Sequence, residues 1–409
     1  MSINVLIAGG GIGGLAAALA CARAGQHVQL FERTAAFAEI GAGIQLGPNV
    51  TRILHSWGLQ RTLEDVAAYP DRLQARDAMS GKTLGTLRLG DTALARYGAP
   101  YATVHRADLH AMLAQAVMAH GRVKVQLASE IDRYEESAAG ISATTVTGVR
   151  HDGDLLVGAD GLYSRVRRQM LNDGPPQPSA HCAYRALVAQ NTLPKVLRSQ
   201  CVTAWLGPHL HLVHYPVRDG EWLNVVAFIA HRGVGTLGGS TASASANEEW
   251  DQAASTMALQ TALRGVCRPL EDLIQAIDAW RAWPVCHRAP VQGPREQARG
   301  SLALLGDAAH PMLPYLAQGA GMAIEDAQAL GQCLQGNDDL QGKASLQAAL
   351  QSYAQARWHR NASVQRRALR NAQIFHATGL VALGRNLSMR VLGERVMDLP
   401  WLYGHGKDS

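Results

Sequence analysis

The run Gly9-Gly10-Gly11-Ile12-Gly13-Gly14 satisfies G-x-G-x-x-G with Gly9, Gly11 and Gly14. In that pattern the first glycine permits a tight turn, and the second lets the backbone approach a pyrophosphate. The third lets a helix pack close to a strand. The helix that opens there turns its free N–H groups and positive dipole end toward the anion, and Gly13 lies in its first turn. Glu32 ends the following strand, where a carboxylate accepts hydrogen bonds from adenosine ribose hydroxyls. This chemistry is dinucleotide binding, by either a nicotinamide or a flavin nucleotide.

Two more turns place an aspartate just after an apolar run. Gly158-Ala159-Asp160-Gly161 is followed by Ser164-Arg165-Val166-Arg167, and Gly306-Asp307-Ala308-Ala309-His310-Pro311 by Gln318-Gly319-Ala320-Gly321. Ligands of α/β folds lie at that edge of the sheet. The second turn leads into a helix beginning near Gly319, whose N-terminus could face an anionic ring system. In isolation, either aspartate could equally cap its own turn.

A third polar group sits on the apolar run 209–217. Residues two apart on a strand share a face, so His209, His211, Val213 and Tyr215 point one way. Leu210, Leu212 and His214 point the other. His209-x-His211 is half of a metal set that nothing nearby completes. The six cysteines, Cys21, Cys182, Cys201, Cys267, Cys286 and Cys333, include no C-x-x-C pair. No metal is expected, and the thiols read as reduced.

The elements that must hold these residues follow from the pattern. Residues 4–8 read as a strand, 15–24 as a helix ended by Gly25, and 27–32 as a second strand, together a parallel crossover unit. Residues 71–104 alternate with turn residues such as Ser80-Gly81-Lys82, which predicts antiparallel strands. Residues 107–120 read as a helix, 123–127 as a strand, and 155–161 as a buried strand running into a turn. A hairpin is expected from 209–217 and 221–230 around Arg218-Asp219-Gly220. Residues 233–247, rich in Gly, Ser, Thr and Ala, read as a mobile loop. Residues 301–305 make a last strand before a long helical region. The predicted class is α/β, with a Rossmann-like dinucleotide domain discontinuous in sequence (1–70, 105–178 and 291–335). A mostly antiparallel sheet domain comprises 71–104 and 179–290, and 336–409 form a helical C-terminal region. A pocket between the two domains is the default site.

Composition sets the outer limits. In 409 residues, 47% are hydrophobic and 17% charged, which excludes a disordered chain. No apolar run reaches the roughly 18 residues of a membrane span, and no leader precedes the first strand, so a cytoplasmic protein is expected. The net charge of +5 is diffuse; it suits anionic small molecules and argues against nucleic acid. Arg357, Arg360, Arg366, Arg367 and Arg370 read as a solvated helix face. The apolar stretch 375–383 is expected to dock on the core or on a second copy, making a homodimer a candidate assembly.

With Gly41-Ala42-Gly43-Ile44-Gln45-Leu46-Gly47-Pro48-Asn49 and His105-Arg106-Ala107-Asp108-Leu109-His110 added to the three turns, the chain resembles the single-component FAD-dependent aromatic hydroxylases. These are the relatives of salicylate hydroxylase, 3-hydroxybenzoate 6-hydroxylase and 6-hydroxynicotinate 3-monooxygenase. The resemblance covers residues 4 to about 370. It implies that FAD is the cofactor and that NADH or NADPH binds transiently without a Rossmann unit of its own. It further implies that Glu32 with the adjacent Arg33, Arg106, Gln45 and Asp307 serve the FAD, and that Gly319, Ala320 and Gly321 line the flavin ring. Asp160 is associated with both nucleotides.

The reaction so implied is hydroxylation of a small phenolic or hydroxypyridine carboxylate by O2 through a flavin hydroperoxide, with water excluded. A phenolate ring is the better nucleophile, so a base beside its hydroxyl helps. His211 followed by Tyr215 matches a His and Tyr of the family's substrate pocket, which implies a base or phenolate partner and an orienting or relay group. Gln45, where nicotinate hydroxylases can carry a catalytic histidine, is placed in the catalytic set although an amide cannot act as a base. Cys201, His209 and Pro314 complete the expected pocket. The alternatives are an FAD-binding redox sensor or ligand carrier, and a flavin epoxidase. A halogenase is disfavoured because Trp280-Arg281-Ala282-Trp283-Pro284 does not match W-x-W-x-I-P.

Overall fold

The computed structural model describes residues 2–37, 42–138, 140–230, 252–253, 259–261, 263–335, 340 and 342–407. The loop expected at 233–247 lies outside the described residues. The chain divides into two compact units, Met1–Ile40 with Arg106–Gln177 and His287–Leu369, and Gly41–His105 with Pro178–Cys286 and Arg370–Ser409.

The first unit is built on a parallel sheet. Strand Asn4–Ala8 lies between His27–Phe31 and Leu155–Gly158, flanked in turn by Val123–Gln126 and Leu302–Leu304. Only the edge pair Ala298–Arg299 runs antiparallel among the described strands of this sheet. Its strands read as near-continuous apolar runs because helices cover both faces of a sheet of this kind. Helix Ile12–Arg23 begins three residues before the sequence signal, since Gly13 and Gly14 carry no strong helix propensity yet are held there by packing. Gly331 of helix Gly319–Leu334 lets the Ala20 backbone come close: an added Cβ would lie 3.0 Å from its carbonyl oxygen.

The second unit contains an eight-stranded sheet in which Arg72–Asp77, Val202–Gly207, Leu210–Val217 and Trp222–Ala230 are consecutive neighbours. The expected hairpin is present, with Val217 opposite Trp222 and positive φ at Arg218, Asp219 and Gly220. Leu210, Leu212, Leu223, Val225 and Trp205 turn one sheet face into a core under the amphipathic helix Arg268–Gln275. Residues 71–104 are not all strand. Gly90–Tyr97 is a helix, capped by Gly98 at φ +73°, where only glycine is unstrained.

Three domain assignments differ from expectation. Residues 42–70 belong to the second unit, because strand Gly43–Leu46 pairs with Ala102–His105 and the Gly43 N–H donates to Asn224 Oδ1 at 2.7 Å. Residues 342–369 belong to the first, where the Tyr353 hydroxyl donates to the Leu304 carbonyl at 2.8 Å. From Arg370 onward the chain joins the second unit; Asn386 Nδ2 donates to Asp77 Oδ2 at 3.0 Å and Arg96 pairs with Asp398.

The arginine run is likewise not a solvated face throughout. Arg366 and Arg370 are exposed, but Arg357 is 2% exposed and ion-paired to Asp326 (2.7 Å) and Glu325 (2.9 Å), while Arg360 also grips Glu325. Helix periodicity returns residue 357 to the buried side, where two carboxylates await it. In the stretch 375–383, His376 and Ala377 pack inward, whereas Leu380, Val381 and Leu383 are exposed. Among the described residues, no helix is long and apolar enough to cross a membrane.

Candidate cofactor and substrate sites

In the first unit the glycine turn is a cradle with no room for side chains. Gly9 holds φ +104°, and a Cβ there would sit 2.7 Å from the Ala159 carbonyl carbon and 2.9 Å from the Asp160 Cα. The first and second motifs are therefore in backbone contact. Around Gly11, by contrast, an added Cβ would meet nothing within 4 Å. That open space lies at the helix N-terminus, with no side-chain cap and no acidic residue in the first turn. Glu32 accepts the Gly10 N–H through Oε2 at 2.7 Å and the Thr34 N–H through Oε1 at 2.9 Å, which fixes its carboxylate beside the turn. Arg33 next to it is exposed.

Arg106 opens helix Arg106–Met118, and the same helix presents the buried His110, whose Nε2 lies 2.8 Å from the Gly10 carbonyl oxygen. His110 was quoted in a motif, yet nothing in the sequence marks it as a support for the glycine turn.

The two aspartate turns have different duties. Asp160 accepts from the Ser164 hydroxyl, from the Arg165 N–H at 2.8 Å and from the Val166 N–H at 3.2 Å, so it caps helix Arg165–Leu171. Burial pushes its carboxyl up while those donors pull it down; the net direction is up. Asp307 is exposed and makes no hydrogen bond among the described residues, so its carboxylate is open to a ligand. The turn beneath it is held rigidly. Gly306 has φ +58° and its N–H donates to Asp326 Oδ2 at 3.1 Å. The same oxygen lies 2.5 Å from His310 Nε2, and Arg167 donates to the Ala308 and Ala309 carbonyls. Gly319, Ala320 and Gly321 form the uncapped first turn of the next helix. Pro314 lies exposed on the loop before it.

In the second unit, His211 is buried between Phe228, stacked at 5.4 Å, and Phe375 at 5.1 Å, with His376 at 6.0 Å. Burial, then His376 and His181, hold its pKa well below the ordinary histidine value, so the ring is neutral at neutral pH. Tyr215, 4% exposed, lies four residues on along the same face. Burial raises its pKa, and a Gln45 hydrogen bond opposes this only in part; the phenol stays protonated. Gln45 Oε1 in turn accepts the Tyr101 hydroxyl at 2.6 Å. Gly43 is required here, since a Cβ would lie 2.5 Å from Tyr215 Cε2 and 2.7 Å from Asn224 Cγ. Tyr101 and Asn224 are supports that sequence reasoning missed, because both look like ordinary strand or loop residues.

Two expected pocket residues are placed differently from the alternation. His209 precedes the strand in a turn at φ +59°, which breaks the alignment with His211, yet its N–H donates to the carbonyl of His376 at 3.2 Å, so it borders this group. Cys201 belongs with Thr203, Trp205 and His214 on the opposite sheet face, because Thr203 is registered to His214 and Leu206 to His211. Among the described residues, no group of three or more His, Cys, Asp or Glu could hold a metal.

The FAD-binding domain family matches residues 2–368. The 3-hydroxybenzoate 6-hydroxylase of Polaromonas naphthalenivorans is 36% identical over 405 residues, covering 98% of this chain and 96% of that protein. This chain belongs to the FAD-binding aromatic hydroxylase family. The hydroxylase assignment extends to the 6-hydroxynicotinate 3-monooxygenase of Bordetella bronchiseptica, 32% identical over 372 residues, 89% of this chain and 90% of that one. A solved salicylate hydroxylase substrate complex shares the fold, with TM-score 0.82 at 24% identity, covering 100% of this chain and 96% of that one. As a member of this hydroxylase family the chain is an FAD-dependent aromatic-ring monooxygenase. The Gly9–Gly14 cradle, the open Gly11 and the unpaired Asp307 fit such a cofactor.

Proposed function

We propose that this monooxygenase acts on a hydroxybenzoate- or hydroxypyridine-carboxylate-like substrate in the cytoplasm, using O2 and either NADH or NADPH, and that it works as a homodimer. Glu32, Arg33, Arg106, Asp307 and Gly319 to Gly321 hold the cofactor in the first unit, and Asp160, by capping helix Arg165–Leu171, fixes the turn that touches the glycine cradle. When bound, FAD supplies electron transfer from the nicotinamide and activation of oxygen. His211 takes a hydrogen bond, and then the proton, from the ring hydroxyl, which raises electron density on the carbon to be hydroxylated. Tyr215 keeps its own proton and donates a hydrogen bond through it to the substrate oxygen, orienting the ring. Gln45 and Tyr101 hold the Tyr215 phenol in place, and the aromatic wall around His211 keeps water away.

The observation that supports this reading most is the shared strand face of His211 and Tyr215, each buried and each in its useful protonation state. A panel of 3-hydroxybenzoate, salicylate and 6-hydroxynicotinate, tested for faster NADH and NADPH oxidation with product analysis, is the direct test. At least one acid should stimulate oxidation and leave as a hydroxylated product. Stimulation that yields only hydrogen peroxide would count against it.

His211→Ala is expected to lower kcat by about 100-fold or more, the lower range for general acid–base groups. Tyr215→Phe should lower it by roughly tenfold, with FAD content unchanged in both. Full activity in either variant removes that residue from the mechanism. The pH profile has a defined sign. Because the folded pKa of His211 is depressed, its proton-accepting form persists through the neutral range, and kcat/KM should fall only as pH drops well below 6.5. A fall centred at or above 6.5 contradicts the assignment.

A further inference from the structure

Residues 398–407 lie far along the chain from strand Gly43–Leu46, yet within the second unit they are fastened beside it. Asp398 accepts the Tyr97 hydroxyl at 2.6 Å and pairs with Arg96. Arg52 Nη1 donates to the His405 carbonyl at 2.6 Å, and Lys407 Nζ to the Arg96 carbonyl at 2.8 Å. These ties seat the short helix Pro400–Tyr403, whose Leu402 and Tyr403 are buried. An added Cβ at Gly47 would lie 2.9 Å from Tyr403 Cδ1, so the ring takes the space a side chain would fill. Tyr403 meets the Tyr97 and Tyr101 rings edge-on, at 5.7 and 6.1 Å between centroids, the spacing of favourable aromatic pairs. The void left among Pro48, Tyr97, Tyr101 and Tyr403 is about 10 Å3, no more than one water needs, so the Tyr101 ring has one place to be.

That placement sets a direction of hydrogen bonding. Tyr101 is 4% exposed, and a buried phenol needs an acceptor for its proton; Gln45 Oε1 is that acceptor, at 2.6 Å. With its oxygen so engaged, the Gln45 amide turns an N–H to the Tyr215 oxygen. The bond accordingly pulls the Tyr215 pKa down, as a donor to the phenolate form does. The Tyr215 oxygen therefore accepts from Gln45, and its own proton is left for another partner. A Gln45 amide turned the other way would take up that proton on its oxygen.

We propose that Tyr403 is a positioning residue for Tyr215: it holds Tyr101 where its hydroxyl fixes the direction of the Gln45 amide, which keeps Tyr215 a donor toward the substrate oxygen. The inference rests on the role given to Tyr215 under the proposed function. Every residue it uses belongs to the second unit.

The test is the yield of hydroxylated product per NADH or NADPH consumed. It is measured on the holoenzyme with whichever of 3-hydroxybenzoate, salicylate and 6-hydroxynicotinate is hydroxylated fastest. Tyr403→Leu should lower kcat for product about fivefold, within the cost of a displaced catalytic group, and divert the nicotinamide oxidised to hydrogen peroxide, with FAD content unchanged. Tyr403→Phe, which keeps the ring, should keep the wild-type yield. Tyr101→Phe retains the packing and removes only the hydroxyl that orients Gln45, so it should show the loss of Tyr403→Leu. It decides alone if Tyr403→Leu fails to fold. In a Tyr215→Phe background neither change should add a further loss, because effects exerted through one group are not additive. Losses that multiply in that background, or full product yield in Tyr101→Phe, would overturn the inference and leave Tyr215 in its role. Full activity in Tyr215→Phe alone would remove both.

Discussion

Gly11→Ala is expected to fold with wild-type stability and to bind FAD roughly 100-fold more weakly, about 2.8 kcal/mol of affinity. The added methyl meets no protein atom within 4 Å, and Gly11 has an ordinary negative φ, so the apoprotein has nothing to lose. What it loses is the space in which a pyrophosphate approaches the backbone. Gly14→Ala is the contrast. There the new Cβ would lie 2.9 Å from the Gly9 carbonyl carbon and closer still to its oxygen, so the protein itself must shift. A loss of about 1–3 kcal/mol of stability follows from such overpacking. Flavin fluorescence titration and denaturant unfolding of the two apoproteins separate the cases. Unchanged FAD affinity in Gly11→Ala would show that the phosphate does not sit against this turn.

Arg357→Met is expected to destabilise the protein by about 3–5 kcal/mol, as removal of one partner of a buried ion pair does. Arg357 neutralises Asp326 and shares Glu325 with Arg360; a methionine fills the space but leaves Asp326 a buried anion. Burial alone would raise the Asp326 carboxyl, but His310 and Arg357 outweigh it and hold the carboxyl far below the usual range. A depressed folded-state pKa gives stability that is present above the unfolded value near 4 and is lost as pH falls below it. The wild type should therefore weaken in acid below about pH 4 through this group, and Arg357→Met should show less of that dependence. Because Asp326 also holds the Gly306 N–H and His310, the variant should release FAD more readily as well. Urea midpoints at pH 7 and at about pH 3 test the stability and its acid dependence, and flavin fluorescence tests the release; a change under about 1 kcal/mol at pH 7 contradicts the role of Arg357.

The cofactor half of the fold was readable because its chemistry is local. Gly9 to Gly14, Glu32 and the strands around them lie within one crossover unit, so spacing carries the meaning. The strand face of His211 and Tyr215 was readable for the same reason, since period-two alternation is a local property. His209 escaped it because a single residue at φ +59° ends the alternation, and histidine gives no warning of that. Cys201 escaped it because its face is set by register to a neighbouring strand, not by distance in sequence to His211. Arg357 was misjudged since a charged residue near other arginines looks solvated, and only the distant Glu325 and Asp326 make its burial favourable. The Asp160 and Asp307 turns look alike in sequence, yet one carboxylate is used up on a helix cap and the other is left open.

The central claim is that this chain inserts an oxygen atom from O2 into an aromatic acid. Turnover with the acid that most stimulates nicotinamide oxidation, under oxygen-18 gas in ordinary water, measures it directly by product mass. One oxygen-18 atom in the product is the predicted result. An unlabelled product, or no product beyond hydrogen peroxide with any acid of the panel, would contradict it.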